Sequence, residues 1–270
     1  MNVEPVARTA VNAAAALLRQ RWRQQKTVEY KSAIDLVTET DREAEALVVA
    51  HLRRAFPDHL IVAEEASAGV EPARAAAEQY VWYLDPLDGT TNFAHAYPQF
   101  CVSLALARGA ELRFAIVSDP IRDETFVAHR GGGATLNGAP IQISAVDDLN
   151  RALLATGFPY DRRQRPDFYL AFFADFMQRA QGIRRGGSAA LDLCYVACGR
   201  FDAFWEWKLR PWDIAAGALI VREAGGTVTD FRGGPLDLYG EQTLASNGHV
   251  HAAMRAVIQA RLDAPGARAG

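Results

Sequence analysis

Hydrophobic and polar residues near the start of the chain recur at helical spacing. Residues 5–22 show the period that predicts an amphipathic helix. Its apolar face consists of Val6, Ala10, Ala14, Leu17 and Leu18. A second helix is predicted over residues 41–56, because Thr40 or Asp41 stands where a helix cap belongs.

Short apolar runs separated by polar turns follow these helices, which is the pattern of β-strands. Strands are predicted at residues 61–63, 81–84, 100–106, 112–117, 125–128 and 141–143. The glycines at 131–133 mark a turn within this series. Two helices combined with antiparallel strands predict an α+β first domain, residues 1–146.

The second half of the chain alternates strands and helices. Strands are predicted at residues 152–156, 201–207, 227–230 and 243–246, and helices at 167–180, 188–198, 212–224 and 249–262. This alternation predicts an α/β second domain, residues 147–270. Polar residues between Ser144 and Asn150 mark the boundary, and an active site is expected between the two domains.

One run of residues combines carboxylates, a sharp turn and hydroxyls. It follows the apolar residues 81–84 and reads Asp85-Pro86-Leu87-Asp88-Gly89-Thr90-Thr91-Asn92-Phe93. The proline stiffens the turn so that both carboxylates can converge, and Mg²⁺ prefers such oxygen ligands, backbone carbonyls included. Gly89 allows close backbone approach, and the amides after it are expected to face an anion. The run predicts a site for metal plus phosphate, and its simpler alternative is an ordinary Asp-Gly turn that caps a helix.

Other segments place further acids at strand and helix ends. Glu64 and Glu65 follow the strand at 61–63, so two strand ends that carry acids are expected to meet at one edge of a sheet. Asp41 and Asp213 stand at helix starts. Taken separately, these two aspartates are equally explained as helix caps, and the glutamate pair as solvated surface charges.

Together and in this order, the segments resemble the inositol monophosphatase family of Mg²⁺-dependent, lithium-sensitive phosphatases, in its bacterial inositol-1-monophosphatase type. The resemblance runs from about residue 35 to the C-terminal region and rests on the Asp85–Thr90 motif, on Trp212-Asp213 and on residues 184–192 and 196–206. Ala63 departs from it, since the family often has glycine there. The resemblance implies a layered α/β/α/β/α sandwich with the active site between two subdomains, and a homodimer.

The resemblance also implies the metal ligands. Glu64, Asp85 and the Leu87 carbonyl would hold a first Mg²⁺, while Asp85, Asp88 and Asp213 would hold a second. Related enzymes often bind a third, weaker ion near Glu64, so two or three Mg²⁺ are expected per site. Metal binding lowers the pKa of water, so no strongly basic side chain is required.

Roles in catalysis and substrate binding follow from the same resemblance. Thr90, oriented by Asp41, and Glu64 would position and deprotonate a water that attacks phosphorus. Contacts with phosphate and alcohol would come from Gly89, Thr90, Thr91, Ser188, Ala189 and Glu206. A salt bridge from Glu206 to Lys208 or Arg210 is the alternative for that glutamate.

The resemblance favours hydrolysis of myo-inositol monophosphate to inositol and phosphate. Fructose 1,6-bisphosphate, histidinol phosphate and a 3′-phosphonucleotide are the alternative substrates. The alternative from another class of function is a binding protein in an RNA or protein assembly. It is suggested by the arginine-rich segment Arg162-Arg163-Gln164-Arg165, which is expected at the surface.

Composition agrees with an enzyme that acts on small molecules. The chain has 270 residues, 50% of them hydrophobic, and a formal net charge of −3. It therefore has enough apolar material for a substantial core, and no broad positive field for nucleic acid or anionic membrane. Three cysteines do not suggest a disulfide framework, which favours a reducing, cytoplasmic compartment. Cys194 and Cys198 are expected to pack on a buried helix face.

Overall fold

A computed structural model describes residues 2–24, 28–30, 36–67, 76 and 78–264. These residues form a layered α/β sandwich in which two mixed sheets alternate with pairs of helices. The described helices are α1 (Glu4–Arg21), α2 (Glu39–Ala55), α3 (Thr90–Ala94), α4 (Pro166–Met177), α5 (Ala189–Ala197), α6 (Pro211–Glu223) and α7 (His251–Leu262).

The described strands begin with a short antiparallel pair, β1 (Val28–Tyr30) and β2 (Leu36–Thr38). The larger sheet, in spatial order, consists of β3 (Leu60–Ala63), β4 (Tyr80–Asp88), β5 (Cys101–Arg108), β6 (Glu111–Asp119), β7 (Glu124–His129), β8 (Gly133–Leu136) and β9 (Ala139–Pro140). Among the described strands of this sheet, only β3 and β4 pair in parallel, with Ala63 opposite Leu84. The end of β3 therefore lies beside Leu84 of β4, and each of these two paired residues is followed by an acid, Glu64 and Asp85.

A smaller sheet is formed by the second half of the chain. Its strands are β10 (Leu153–Thr156), β11 (Gly182–Arg184), β12 (Ala203–Trp207), β13 (Thr227–Thr229) and β14 (Gln242–Ser246), in the spatial order β11-β10-β12-β14-β13. β10 pairs in parallel with β11 and β12, and β14 pairs antiparallel with β12 and β13.

Strand β4 shows why the layers form. Val81 and Tyr83 pack towards α5 and α6, whereas Trp82 and Leu84 pack towards α1 and α2. Because helices cover both faces, the strand reads as a continuous apolar run instead of an alternating one. Helices α4 and α7 cover the outer face of the smaller sheet.

The two central helices lie between the sheets and are almost wholly apolar. Every residue of α5 is buried. A Cβ on Gly217 of α6 would lie 2.5 Å from the Leu193 Cβ of α5, so this glycine permits the close approach of the two helices. The central layer thereby joins both sheets into one core.

Most predicted elements agree with the structure to within a few residues. The strand predicted at residues 141–143 is wrong. Ile141 donates its N–H to Ala134 O at 3.0 Å and Ile143 donates to Ala224 O at 3.3 Å, while both side chains pack on the central core. Their apolar character reflects core covering, and the strands of this region lie earlier, at β8 and β9. In the part of the chain that the structure describes, no helix is long and apolar enough to cross a membrane.

His251 joins three elements of the smaller sheet's layer. It is buried at the start of α7, with Nδ1 2.9 Å from Ser246 Oγ on β14 and Nε2 2.9 Å from Thr229 Oγ1 on β13. Burial, helped by the charge of Arg255, lowers the pKa of His251 from 6.5 to about 4. The folded protein therefore holds this imidazole neutral.

The pKa of His251 predicts acid sensitivity. Between pH 6.5 and about 4 the unfolded chain binds the proton and the folded chain does not, so stability falls as pH falls through this window. The loss amounts to at most about 3 kcal/mol. Urea unfolding of His251→Gln should depend less steeply on pH in this window than unfolding of the parent, while exposed His249→Gln should match the parent. Equal pH slopes for the parent and His251→Gln would contradict this assignment.

Candidate active site

Strand β4 ends in a β-bulge that carries both aspartates of the central motif. Asp85 lies opposite Ser103, whereas Asp88 lies opposite Cys101, so β4 has one extra residue between them. A bulge bends the strand and redirects its side chains. Both carboxylates are buried, with Asp85 2% and Asp88 8% exposed. Asp85 Oδ1 accepts a hydrogen bond of 2.9 Å from the N–H of Leu87, which fixes the turn.

Gly89 follows the bulge with a backbone that only glycine adopts readily. Its φ is 99°, and a Cβ there would lie 2.8 Å from the carbonyl oxygen of Gln99. Helix α3 starts directly after it, so Thr90 and Thr91 lie at the mouth of the cleft next to Asp88.

Thr90 is held by a helix from a distant part of the sequence. Its Oγ1 lies 2.9 Å from Asp41 Oδ1 and 3.1 Å from the Leu87 carbonyl. Asp41 is buried in the first turn of α2, where its other oxygen accepts from the N–H of Thr38 at 2.9 Å. The N-cap of α2 is therefore Thr38, and the prediction of Thr40 or Asp41 as the cap is wrong. Asp41 completes the capping box from the third helical position and also pairs with Thr90.

Asp88 connects the two sheets. Its Oδ2 accepts 2.7 Å hydrogen bonds from Ser188 Oγ and from the N–H of Ala190, in the first turn of α5. Charge-assisted bonds at a helix N-terminus are favourable for an anion. The carboxylate from the larger sheet therefore caps a helix that belongs to the second half of the chain.

Asn92 strengthens the same junction. Its Nδ2 donates to the carbonyl oxygens of Gln99 at 2.6 Å and Gly186 at 2.9 Å. Sequence reasoning gave this side chain no role, because its partners lie in loops that are far apart in sequence.

Asp213 reaches the cleft from α6. It stands at the third position of that helix, where its Oδ2 accepts from the N–H of Arg210 at 2.7 Å. Asp213 is half-buried and lines the same cleft as Asp85 and Asp88. Glu64, also half-buried, follows β3, and its N–H donates to Leu84 O at 3.1 Å, which continues the pairing of β3 with β4.

The acids affect one another strongly. Burial raises the pKa of Asp85 well above its ordinary value, and the charges of Glu64, Asp88 and Asp213 raise it further. The pKa of Asp213 is raised for the same reasons, with burial first and Glu64 second. Asp88 also has a raised pKa through burial, although its donors from α5 oppose the rise. Neighbouring negative charges in a buried site favour either protonation or a bound cation.

The acids converge without forming a tight chelating cluster. Among the described residues, no three His, Cys, Asp or Glu side chains stand close enough together to hold one metal ion. The three aspartates nevertheless have one feature in common: one carboxylate oxygen of each accepts a hydrogen bond from a protein N–H or O–H. Hard oxygen donors with excess negative charge are the donor set that Mg²⁺ prefers. The residues therefore fit the ion in donor type, whereas the described side chains stand further apart than the ligands of one ion do.

Glu206 lines the same cleft as the aspartates. It is 8% exposed at the end of β12, and burial raises its pKa to about 8 in spite of Arg185 and Arg162 nearby. A Cβ on Gly157 would lie 2.1 Å from a Glu206 carboxylate oxygen, so the absence of a side chain at residue 157 leaves room for Glu206. The alternative salt bridge to Lys208 is wrong, because Lys208 Nζ lies 2.7 Å from Asp161 Oδ2.

One cleft of about 880 Å³ contains the group of acids and Glu206. Of the residues singled out from the sequence, those that line it are Glu64, Asp85, Leu87, Asp88, Gly89, Thr90, Thr91, Ser188, Ala189, Glu206 and Asp213. Asp41 stands behind this wall and acts through Thr90.

Several cleft residues escaped sequence reasoning. Tyr160, Asp161, Arg162 and Arg185 line the same cleft as Glu206. The sequence gave Arg162 only as part of a basic cluster, and nothing in it indicated that Arg162 and Arg185 lie near one carboxylate, Glu206. Asp192, 2% exposed, also lines the cleft, and its Oδ1 has no hydrogen-bond partner among the described residues.

Comparison with known proteins gives a consistent result. The model of the inositol monophosphatase family matches residues 2–263. Nus factor SuhB from Pseudomonas aeruginosa is 47% identical over 87% of this chain and 87% of its own length. An inositol-1-monophosphatase from Synechocystis is 45% identical over 91% of this chain and 85% of its own length.

Solved structures extend the likeness to the fold. An inositol monophosphatase from Anabaena superimposes with a TM-score of 0.85 at 40% identity, covering 96% of this chain and 97% of that one. The extragenic suppressor protein suhB from Bartonella henselae gives a TM-score of 0.88 at 37% identity, covering 96% and 99%.

The bond from Ser188 to Asp88 predicts a stability effect. Ser188→Ala removes a donor from a buried carboxylate, so the free energy of unfolding should fall by about 1–3 kcal/mol. The matched control is Ser67→Ala at the same cleft, which should stay within about 0.5 kcal/mol of the parent. Urea unfolding in EDTA measures both. Equal stabilities for the two variants would show that the bond across the sheets contributes little.

Proposed function

Because the chain belongs to the inositol monophosphatase family, we propose that it hydrolyses a phosphate monoester, myo-inositol monophosphate, to the alcohol and phosphate with the help of Mg²⁺. The observation that carries this proposal is the convergence of four carboxylates on one cleft. There the charges of Glu64, Asp88 and Asp213 raise the pKa of Asp85. Such a set is unfavourable by itself and favourable around a divalent cation.

Five residues would hold Mg²⁺. Glu64, Asp85 and the Leu87 carbonyl would form one position, and Asp85, Asp88 and Asp213 a second; two or three ions are expected in all. When bound, Mg²⁺ supplies acidification of a water and neutralisation of charge on phosphate and leaving alkoxide. The bulge in β4 supports this assignment because it brings a carbonyl and two carboxylates together at one strand end.

The residues around Thr90 would prepare the attacking water. Asp41 Oδ1 accepts a hydrogen bond from the Thr90 hydroxyl, so the lone pairs of Thr90 Oγ1 would be left to accept a hydrogen bond from water. Glu64 lines the same cleft as Thr90 and would take the proton as the water attacks phosphorus. The backbone at Gly89, Thr90 and Thr91 would hold the phosphate oxygens, and no covalent phosphoenzyme is required.

Glu206 would recognise the alcohol half of the substrate, together with Ser188 and Ala189. With a pKa of about 8, its carboxyl is largely protonated at neutral pH and can both donate to and accept from hydroxyls. Arg162 and Arg185 border this half of the cleft and oppose the rise in that pKa. A polyol matches such a mixed lining of donors and acceptors.

Phosphate release from myo-inositol 1-phosphate tests the reaction. The parent should release phosphate only with Mg²⁺, and Asp88→Asn should lose activity by at least about a hundredfold, because it removes a charge at the proposed metal site. Glu43→Gln, on the outer part of α2, should retain parental activity. Mg²⁺-dependent release from fructose 1,6-bisphosphate, histidinol phosphate or a 3′-phosphonucleotide far above that from inositol phosphate would contradict the substrate assignment.

Gly157→Ala tests the position of Glu206. The added methyl would displace the Glu206 carboxylate, since a Cβ there lies 2.1 Å from one of its oxygens. We expect the KM for inositol phosphate to rise about tenfold, because one hydrogen bond to a charged or polar partner is lost. The change in kcat should be smaller. A control is Gly182→Ala, where φ is not left-handed and an added Cβ would meet only the side-chain ends of Arg184 at 3.3 Å and Leu153 at 3.4 Å. An unchanged KM would remove Glu206 from substrate recognition.

A second candidate is binding within an RNA or protein assembly. It is favoured by the 47% identity to a protein named Nus factor SuhB. The cluster from Arg162 to Arg165 supplies cations, although Arg162 faces the cleft. Fluorescence titration with RNA at increasing salt tests this role, and a flat titration would count against RNA as the partner. The two roles are compatible.

Family membership carries two further expectations. Lithium should inhibit the reaction, by competition at the position formed with Asp213. The protein should also form a homodimer, which light scattering would measure directly.

A further inference from the structure

Glu45 is a buried carboxylate on α2 with an unusual pair of partners. Its Oε2 accepts from the N–H of Glu65 at 2.8 Å, and its Oε1 accepts from the N–H of Ala66 at 2.9 Å. The residue is 8% exposed. Two successive backbone amides thus share one carboxylate, which is a strong, charge-assisted arrangement.

These amides directly follow Glu64, whose backbone is held from the other side. The N–H of Glu64 donates to Leu84 O on β4 at 3.1 Å, and the N–H of Ser67 donates to Ala63 O at 3.0 Å. The turn after β3 is therefore fixed at both flanks of Glu64: by the sheet before it and by Glu45 after it. If this turn were not held, its residues would lose conformational entropy when a metal ion binds, and binding would be weaker by that cost.

Glu45 and Asp41 share one face of α2, because residues four apart lie one above the other on a helix. Asp41 contacts Thr90 Oγ1 at 2.9 Å. One rigid helix thus reaches two separate loops of the cleft, the turn with Glu64 and the start of α3 with Thr90.

We propose that Glu45 is a positioning residue that sets the place of Glu64, and through it the affinity of the cleft for Mg²⁺. The inference rests on the proposed metal role of Glu64. Glu45 is not among the residues that line the cleft; it holds the backbone next to the proposed ligand Glu64. Changes to groups that orient metal ligands commonly cost ten- to a hundredfold in metal affinity.

Calorimetric titration of the metal-free protein with Mg²⁺ tests the proposal without any substrate. Glu45→Gln keeps the side-chain shape but turns an amide NH₂ towards a backbone N–H, so we expect Mg²⁺ to bind at least about tenfold more weakly. Glu43→Gln is the matched control on the same helix, since the Glu43 carboxylate pairs with Arg21 at 3.1 Å. It should bind Mg²⁺ as the parent does.

A double variant separates positioning from a general structural effect. If Glu45 acts through Glu64, then Glu45→Gln should weaken Mg²⁺ binding much less in a Glu64→Gln background than in the parent. Should Glu45→Gln fail to fold, Glu45→Asp, whose carboxylate is one methylene shorter, is measured in the same way and should also bind Mg²⁺ more weakly.

Two results would overturn the proposal while leaving the phosphatase assignment in place. One is parental Mg²⁺ affinity in folded Glu45→Gln or Glu45→Asp. The other is an effect of Glu45→Gln that is undiminished in the Glu64→Gln background. A parent that binds no Mg²⁺ would instead overturn the metal site itself, and the role of Glu45 with it.

Discussion

The mutual repulsion of carboxylates at the junction of two sheets is the constraint on which this structure depends. Burial and the charges of Glu64, Asp88 and Asp213 all raise the pKa of Asp85. Buried like charges destabilise a fold unless protons or a cation compensate them. The protein therefore maintains, at its centre, an arrangement that is unfavourable in isolation and becomes favourable when a divalent cation binds.

The fold holds these acids in place by connecting each to a separate rigid element. Asp88 caps α5 through Ser188 and Ala190, and Asp213 caps the start of α6. Close packing of α5 against α6 at Gly217 then fixes these two aspartates relative to each other. A side chain that caps a helix cannot rotate away from its neighbours without breaking that cap. The charged groups thus have fixed positions because the apolar helices that they cap are closely packed.

The sequence predicted the features that depend on neighbouring residues. Helix α1 follows from apolar periodicity and α2 from the capping-type residues near its start. The site at Asp85–Thr90 follows from acids, proline and glycine within one short run. Ile141 and Ile143 misled the strand prediction because an apolar alternation that covers a core looks like one that forms a ladder. The partners of Glu45 and Asn92 were beyond sequence reasoning, since they depend on which loops the layers bring together. Long-range pairing is decided by packing, and no local pattern records it.

The most direct test of the central claim is urea unfolding of the parent and Asp85→Asn, each in EDTA and in saturating Mg²⁺. Removing one of the repelling charges should make Asp85→Asn more stable than the parent in EDTA, because asparagine can still accept from the N–H of Leu87. Mg²⁺ should stabilise the parent by about 2.7 kcal/mol at a hundred times its Kd and should add little to Asp85→Asn. If Asp85→Asn is less stable in EDTA and gains as much from Mg²⁺ as the parent does, the carboxylates are not held together for a cation.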